Sequence, residues 1–217
     1  MSYCQCQGIE NTFDRRLAEA QLQRERRRGP QRTTLMLVEA LRAQGVAGRT
    51  LLDIGGGVGA VQRLLLESGA AGVTGIDASS AYLEAARQEA RQRGFEPRVR
   101  YRHGNFVELA PDIDPADIVT LDRVICCYDD MKGLVTASAS KARGVYGVVF
   151  PRSAWWTRLG VRLLNLSQRI KGSTFRMFAH STEDVESLLR AQGLSRIYRR
   201  TRGIWQVAVF TRAAGAA

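Results

Sequence analysis

The stretch LLDIGGGVGA, Leu51 to Ala60, constrains this chain more than any other: a short apolar run enters four glycines, Gly55, Gly56, Gly57 and Gly59, and a helical pattern follows at once. A continuous apolar run bounded by glycine reads as a strand buried on both faces, which is the mark of a parallel sheet. Glycines between such a strand and a helix let the backbone pass close to a ligand, and the helix start offers N–H groups without partners. The same alternation recurs. TLLDIG (Thr50 to Gly55), GVTGID (Gly72 to Asp77), RVRYRHGNF (Arg98 to Phe106), ADIVTLD (Ala116 to Asp122) and GVYGVVFP (Gly144 to Pro151) read as strands. Val58 to Ser68 and Ser79 to Arg93 read as helices between them. This pattern predicts an α/β sheet covered on both faces.

The flanks read differently. Ile9 to Arg28 is polar, with Phe13, Leu17 and Leu22 as its apolar positions, and is expected to form one helix stopped by Gly29-Pro30; a second helix starts near Thr33. Residues 1–46 are expected to form an N-terminal helical lid with the first helices, and residues 47–217 the main domain, with a helical insertion at 152–178; the two make one structural domain. Ser181 to Asp184 is a capping box opening a helix that ends at Gly193, and SRIYRRT and IWQVAVFTR, separated at Arg202-Gly203, carry a hairpin signal.

The glycine loop alone leaves two ligands open. Gly55, Gly57 and Ala60 also fit Gly-x-Gly-x-x-Ala, so a nicotinamide dinucleotide competes. The acids favour another ligand. Asp53 lies where a carboxylate can meet the ammonium of an amino acid and would repel a pyrophosphate, and Asp77, ending the second strand, is placed to accept both hydroxyls of a ribose. Asp-x-Gly-x-Gly-x-Gly followed by a strand-end acid resembles the class I S-adenosylmethionine-dependent methyltransferases. That resemblance implies a Rossmann-like fold: a mostly parallel seven-stranded sheet closed by a C-terminal antiparallel hairpin, with helices on both faces. It implies S-adenosyl-L-methionine as cofactor, held by Asp53, Gly55, Gly56, Gly57 and Gly59 at the methionine end and by Asp77 with Ala78 at the ribose. Asn105 stands where the family usually has an acid facing the adenine amino group, and its amide oxygen can accept that hydrogen bond. Phe106 is expected beside the adenine, and LDRVICCY, from Leu121 through Asp122 to Tyr128, at the transferred methyl. NTFDRR, VVFP, AHSTEDVESLL and WQVAVF are distantly similar to the magnesium-protoporphyrin O-methyltransferases. The segment Ile125-Cys126-Cys127-Tyr128 departs from their Ile-His-Tyr, so the architecture carries over and the porphyrin does not.

Catalytic candidates are few. There are two histidines; His180, at the mouth of the expected site, is the candidate base, while His103 reads as a strand end. Tyr128 either hydrogen-bonds the acceptor or packs its ring on the wall. Cys4 and Cys6 lack the spacing of a structural zinc site, as do Cys126 and Cys127, and no metal is expected; a lid could instead bring the pairs into a thiol-rich mouth for a soft metalloid or thiol.

The expected partner is a small molecule, apolar or anionic. The formal net charge of +11, with 32 basic against 21 acidic residues, raises RNA methylation as a rival. LDRVICCY lacks the Asn/Asp-Pro-Pro-aromatic run of amino-methylating nucleic-acid enzymes, which disfavours nucleic acid. A non-catalytic cofactor-binding module, bound to a membrane surface or a protein partner, is the other rival. In Arg152 to Phe178, Trp155, Leu159, Leu163, Leu166 and Ile170 recur at helical spacing, with core packing, substrate lid and peripheral membrane contact as the three roles considered. No apolar run is long enough to span a bilayer and the start lacks a secretion-signal pattern, so a cytoplasmic location is expected.

Overall fold

Central strands that are buried on both faces account for the layering. In the computed structural model, which describes residues 3–170 and 172–212 and side chains from residue 8 onward, neighbouring strand residues point to opposite faces. Leu52, Val119, Tyr146, Val148 and Phe210 join one apolar cluster, while Leu51, Ile118, Val145, Val149 and Val209 join the other. The strands are β1 (Thr50–Ile54), β2 (Gly72–Asp77), β3 (Val99–His103), β4 (Ala116–Asp122), β5 (Ala142–Pro151), β6 (Leu194–Arg202) and β7 (Trp205–Arg212). They form one seven-stranded sheet in the order β3-β2-β1-β4-β5-β7-β6. The first five are parallel, and β7 enters antiparallel between β5 and β6. The sheet order reverses at β1 and β4, so the loops leaving these strands open the crevice in which such sheets hold ligands.

The helices are α1 (Tyr3–Thr12), α2 (Arg15–Arg28), α3 (Arg32–Arg42), α4 (Ala60–Glu67), α5 (Ser80–Gln92), α6 (Phe106–Leu109), α7 (Met131–Ser140), α8 (Trp155–Ile170) and α9 (Thr182–Ala191). Leu37 and Leu41 of α3 and Leu65 of α4 cover one face of the sheet. Leu134 and Val135 of α7, with Val185 and Leu189 of α9, cover the other. Ser181 caps α9, its Oγ accepting from Asp184 N at 3.4 Å, which is the serine half of the expected capping box.

Two expectations are corrected here. The N-terminal helix is two: Asp14 accepts from Leu17 N at 2.8 Å, and this N-cap starts α2 anew where a continuous helix was expected. Of the three roles considered for the 152–178 insertion, core packing does not hold for the apolar ridge of α8, in which Thr157 is the one buried residue, while Phe175 beyond the helix is buried.

Candidate active site

The cleft is built at the ends of β1, β2 and β4 and has a volume of about 310 Å³. Between β1 and α4 the glycine loop turns tightly, and two of its positions show why glycine is needed. A Cβ on Gly56 would overlap Asp53 Oδ2 and Gln62 Nε2. Gly57 has φ +57° and directs its N–H to Asp77 Oδ2 at 3.0 Å. Asp77 is thereby fixed: its other oxygen accepts from Ser79 N at 2.9 Å. Burial pushes its carboxyl above the ordinary range despite those two donors. Asp77 lines the cleft together with Ala78, Gly57 and Tyr82.

Asp53 lies under the loop with both carboxyl oxygens engaged. Its side chain is fully buried; Oδ1 accepts from Thr120 Oγ1 at 2.6 Å and Oδ2 from Gln62 Nε2 at 3.0 Å. Gln62 in turn accepts from the Tyr101 hydroxyl at 3.0 Å. Burial, with Asp122 and Asp77 nearby, pushes the Asp53 carboxyl up to about 7. Held by two side chains under the loop, the carboxyl braces the loop from below while still bordering the cleft.

Asn105 is engaged as well. It caps α6, its Oδ1 accepting from Val107 N at 3.2 Å and from the Tyr128 hydroxyl at 2.5 Å, while Nδ2 donates to Glu108 at 2.7 Å. The amide oxygen expected to meet an adenine amino group is therefore already shared by two donors. The same bond answers the question of Tyr128. Its hydroxyl is directed to Asn105, and its buried ring packs on the wall. His180 is not among the residues that line the cleft. Its Nε2 lies 2.8 Å from the Tyr128 carbonyl and must carry the proton of that bond, its ring stacks on Phe178 at 5.7 Å, and burial lowers its pKa. His180 anchors the segment after β4. Gly59 lies beneath the cleft as N-cap of α4.

Gly55, Gly56, Gly57, Asp77, Ala78, Asn105, Phe106, Asp122 and Tyr128 line the cleft, as do Asp53, Cys126 and Cys127. Asp122 accepts from Thr34 Oγ1 at 2.6 Å and from Arg123 Nε at 3.1 Å. Cys126 and Cys127 have their sulfurs 3.8 Å apart; that contact and burial hold the Cys127 thiol well above its usual pKa, so it stays protonated. The side chains of Cys4 and Cys6 lie outside the described residues, and with them the four-thiol mouth. Among the described residues no group of three or more His, Cys, Asp or Glu could hold a metal ion.

An N-terminal lid was expected, but the residues that make one wall of the cleft were not singled out. Ile9, Phe13, Gln21 and Glu25 reach it from α1, the α1–α2 junction and α2, and Phe175 and Met177 reach it from the segment after α8. Phe13 packs edge-on against both Tyr82, at 5.6 Å, and Phe175, at 5.4 Å. α1 is pinned there by Glu10, which accepts from Ser80 N at 3.0 Å and from the Ser80 hydroxyl, with His103 Nε2 at 3.2 Å. The visible signal was Phe13, an aromatic alone in a polar stretch.

Residues 51–141 match the family model described as a methyltransferase domain. Ribosomal protein L11 methyltransferase of Alteromonas mediterranea is 32% identical over 123 residues, 54% of this chain and 42% of that protein. Its Deinococcus radiodurans counterpart is 34% identical over 78 residues, 36% and 29% respectively. The chain thus spans less than half the length of these curated relatives. Among solved structures, magnesium protoporphyrin IX methyltransferase from Synechocystis with bound S-adenosylmethionine superposes with a TM-score of 0.68 at 21% identity, covering 88% of this chain and 84% of that one. An O-methyltransferase family protein from Burkholderia thailandensis gives 0.72 at 19%, covering 95% and 63%. At such identities the likeness is one of fold. Residues 51–141 thus match a methyltransferase-domain model, and the chain as a whole shares the fold of these solved methyltransferases.

Proposed function

We propose that the chain binds S-adenosylmethionine in this cleft and transfers its methyl group to a small, partly apolar acceptor. The observation that carries the reading is the hydrogen bond from Gly57 N–H to Asp77, which fixes a carboxylate at the end of β2 beside a loop stripped of side chains. When bound, S-adenosylmethionine supplies a methyl already activated on a sulfonium. The chain's own residues hold, align and dehydrate. Asp77 offers its outer lone pairs to paired hydroxyls, the loop allows close backbone approach, and Phe106, Val124 and Leu134 give the cleft apolar walls that exclude water.

No histidine is among the described lining residues, and the acids there are engaged: Asp53, Asp77 and Asp122 as above, and Glu25 by Gln21 at 3.3 Å, with burial raising its carboxyl. This supports catalysis by alignment, and an acceptor such as a carboxylate that needs no base. Calorimetric titration with S-adenosylmethionine and its demethylated product tests the first half. Asp77→Ala is expected to weaken binding by about 1.5 to 3 kcal/mol, and unchanged affinity would remove Asp77 from the site. Donor consumption with a panel of small carboxylates and phenols tests the second half. Ribosomal protein L11, the substrate in the curated relatives' name, belongs in that panel as the competing acceptor.

A further inference from the structure

The outer side of α8 has no counterpart elsewhere in the described protein. Trp155, Leu159, Leu163, Leu166 and Ile170 are 76, 48, 60, 55 and 79% exposed. At about 100° per residue these five fall within an arc of roughly 80°, nearly opposite the buried Thr157, so the ridge points away from the body. Arg158, Arg162 and Arg169, all exposed, form a row along one flank of that ridge. The surrounding sequence has one sign of charge: six basic residues and no acid lie between Arg152 and Arg176, and no acid occurs between Asp130 and Glu183.

We propose that α8 is a membrane-surface helix, which docks this protein on an anionic bilayer with the apolar ridge in the acyl boundary and the arginines among the headgroups. Charge complementarity selects this occupant. A second copy packed antiparallel on the same ridge about a two-fold axis would bring the arginine rows together, and neither row would find an acid in the segment to offset it in any other packing. A bilayer carrying anionic lipid accepts both features at once, and two tryptophans at one end of the helix suit the interfacial zone. No described helix is long and apolar enough to cross a membrane, so the contact is peripheral. The helix is also coupled to the cleft. Asn165 donates to Met177 O and accepts from Met177 N, both at 2.8 Å, and Met177 lines the cleft wall. The proposal stands on the surface of α8 and is independent of the reaction assigned to the cleft.

Flotation with vesicles of mixed phosphatidylcholine and phosphatidylglycerol, and of phosphatidylcholine alone, tests it. The full chain is expected to float with the anionic vesicles and to bind neutral ones at least about tenfold more weakly. Leu163→Glu with Ile170→Glu is expected to abolish flotation, and Arg158→Gln, Arg162→Gln and Arg169→Gln together to weaken binding to anionic vesicles about a hundredfold. The arginine variant touches no buried residue, so it carries the test if the glutamate variant fails to fold. Wild-type protein that stays with the soluble fraction, that binds both vesicle types equally, or that sediments as a dimer dispersed by the glutamate changes without vesicle binding would overturn the proposal.

Discussion

Asp53→Asn isolates the energetic cost of the buried brace under the glycine loop. The carboxyl has its folded-state pKa raised from 3.8 to about 7. Between those values the folded protein keeps the proton and the unfolded chain loses it, so folding binds protons and stability falls as pH rises through the window. A shift of that size corresponds to about 4 kcal/mol over the whole window, and about 3 kcal/mol of it is lost between pH 5 and pH 8. Asparagine keeps the shape and the acceptor for Thr120 but does not titrate. Gln62 can turn its amide to accept from the new donor. The stability of the variant relative to wild type should therefore rise by about 3 kcal/mol from pH 5 to pH 8. Denaturant unfolding followed by circular dichroism at each pH measures this directly, since the other titrating groups cancel in the difference. A difference that stays flat to within about 0.5 kcal/mol would show that Thr120 and Gln62 hold the carboxylate ionised, and would refute the reasoning.

Gly56→Ala forces a methyl into Asp53 and Gln62; it should cost about 1 to 3 kcal/mol of stability in denaturant unfolding and reduce calorimetric affinity for S-adenosylmethionine. Tyr128→Phe deletes one of two donors to Asn105 and should lower stability by about 0.5 to 1.5 kcal/mol with little change in turnover; a fall in kcat of about a hundredfold or more at constant KM would instead assign the hydroxyl to the reaction. His180→Ala removes the donor to the Tyr128 carbonyl and should leave the shape of the pH–rate profile unaltered; loss of a limb near neutrality would return His180 to a catalytic role.

Much of the fold was legible because the sheet writes itself as apolar runs. Thr50 onward, Gly72 to Asp77 and Ala116 to Asp122 are strands where the pattern places them, and the terminal hairpin turns at Gly203 with φ +58°. Cleft lining by the glycine loop, Asp77 and Phe106 was equally legible, being local to strand ends. Side-chain commitments were not. Asp53 is taken up by Thr120, 67 residues away, and Asn105 by Tyr128, 23 residues away; only the folded register brings them together. For α8, periodicity reveals two unlike sides, whereas whether the apolar one is covered depends on what lies over it.

The mouth of the cleft is a seam between distant stretches of chain. Gly8 lies so close to the 174–175 backbone that a Cβ would come within 2.8 Å of Phe175 N, and Phe13 meets the Phe175 ring edge-on. One such ring contact is worth about 0.5 to 1.5 kcal/mol beyond the apolar area it buries. The two stretches therefore close this wall jointly, and a side chain added at Gly8 would displace the very backbone that carries the opposite ring.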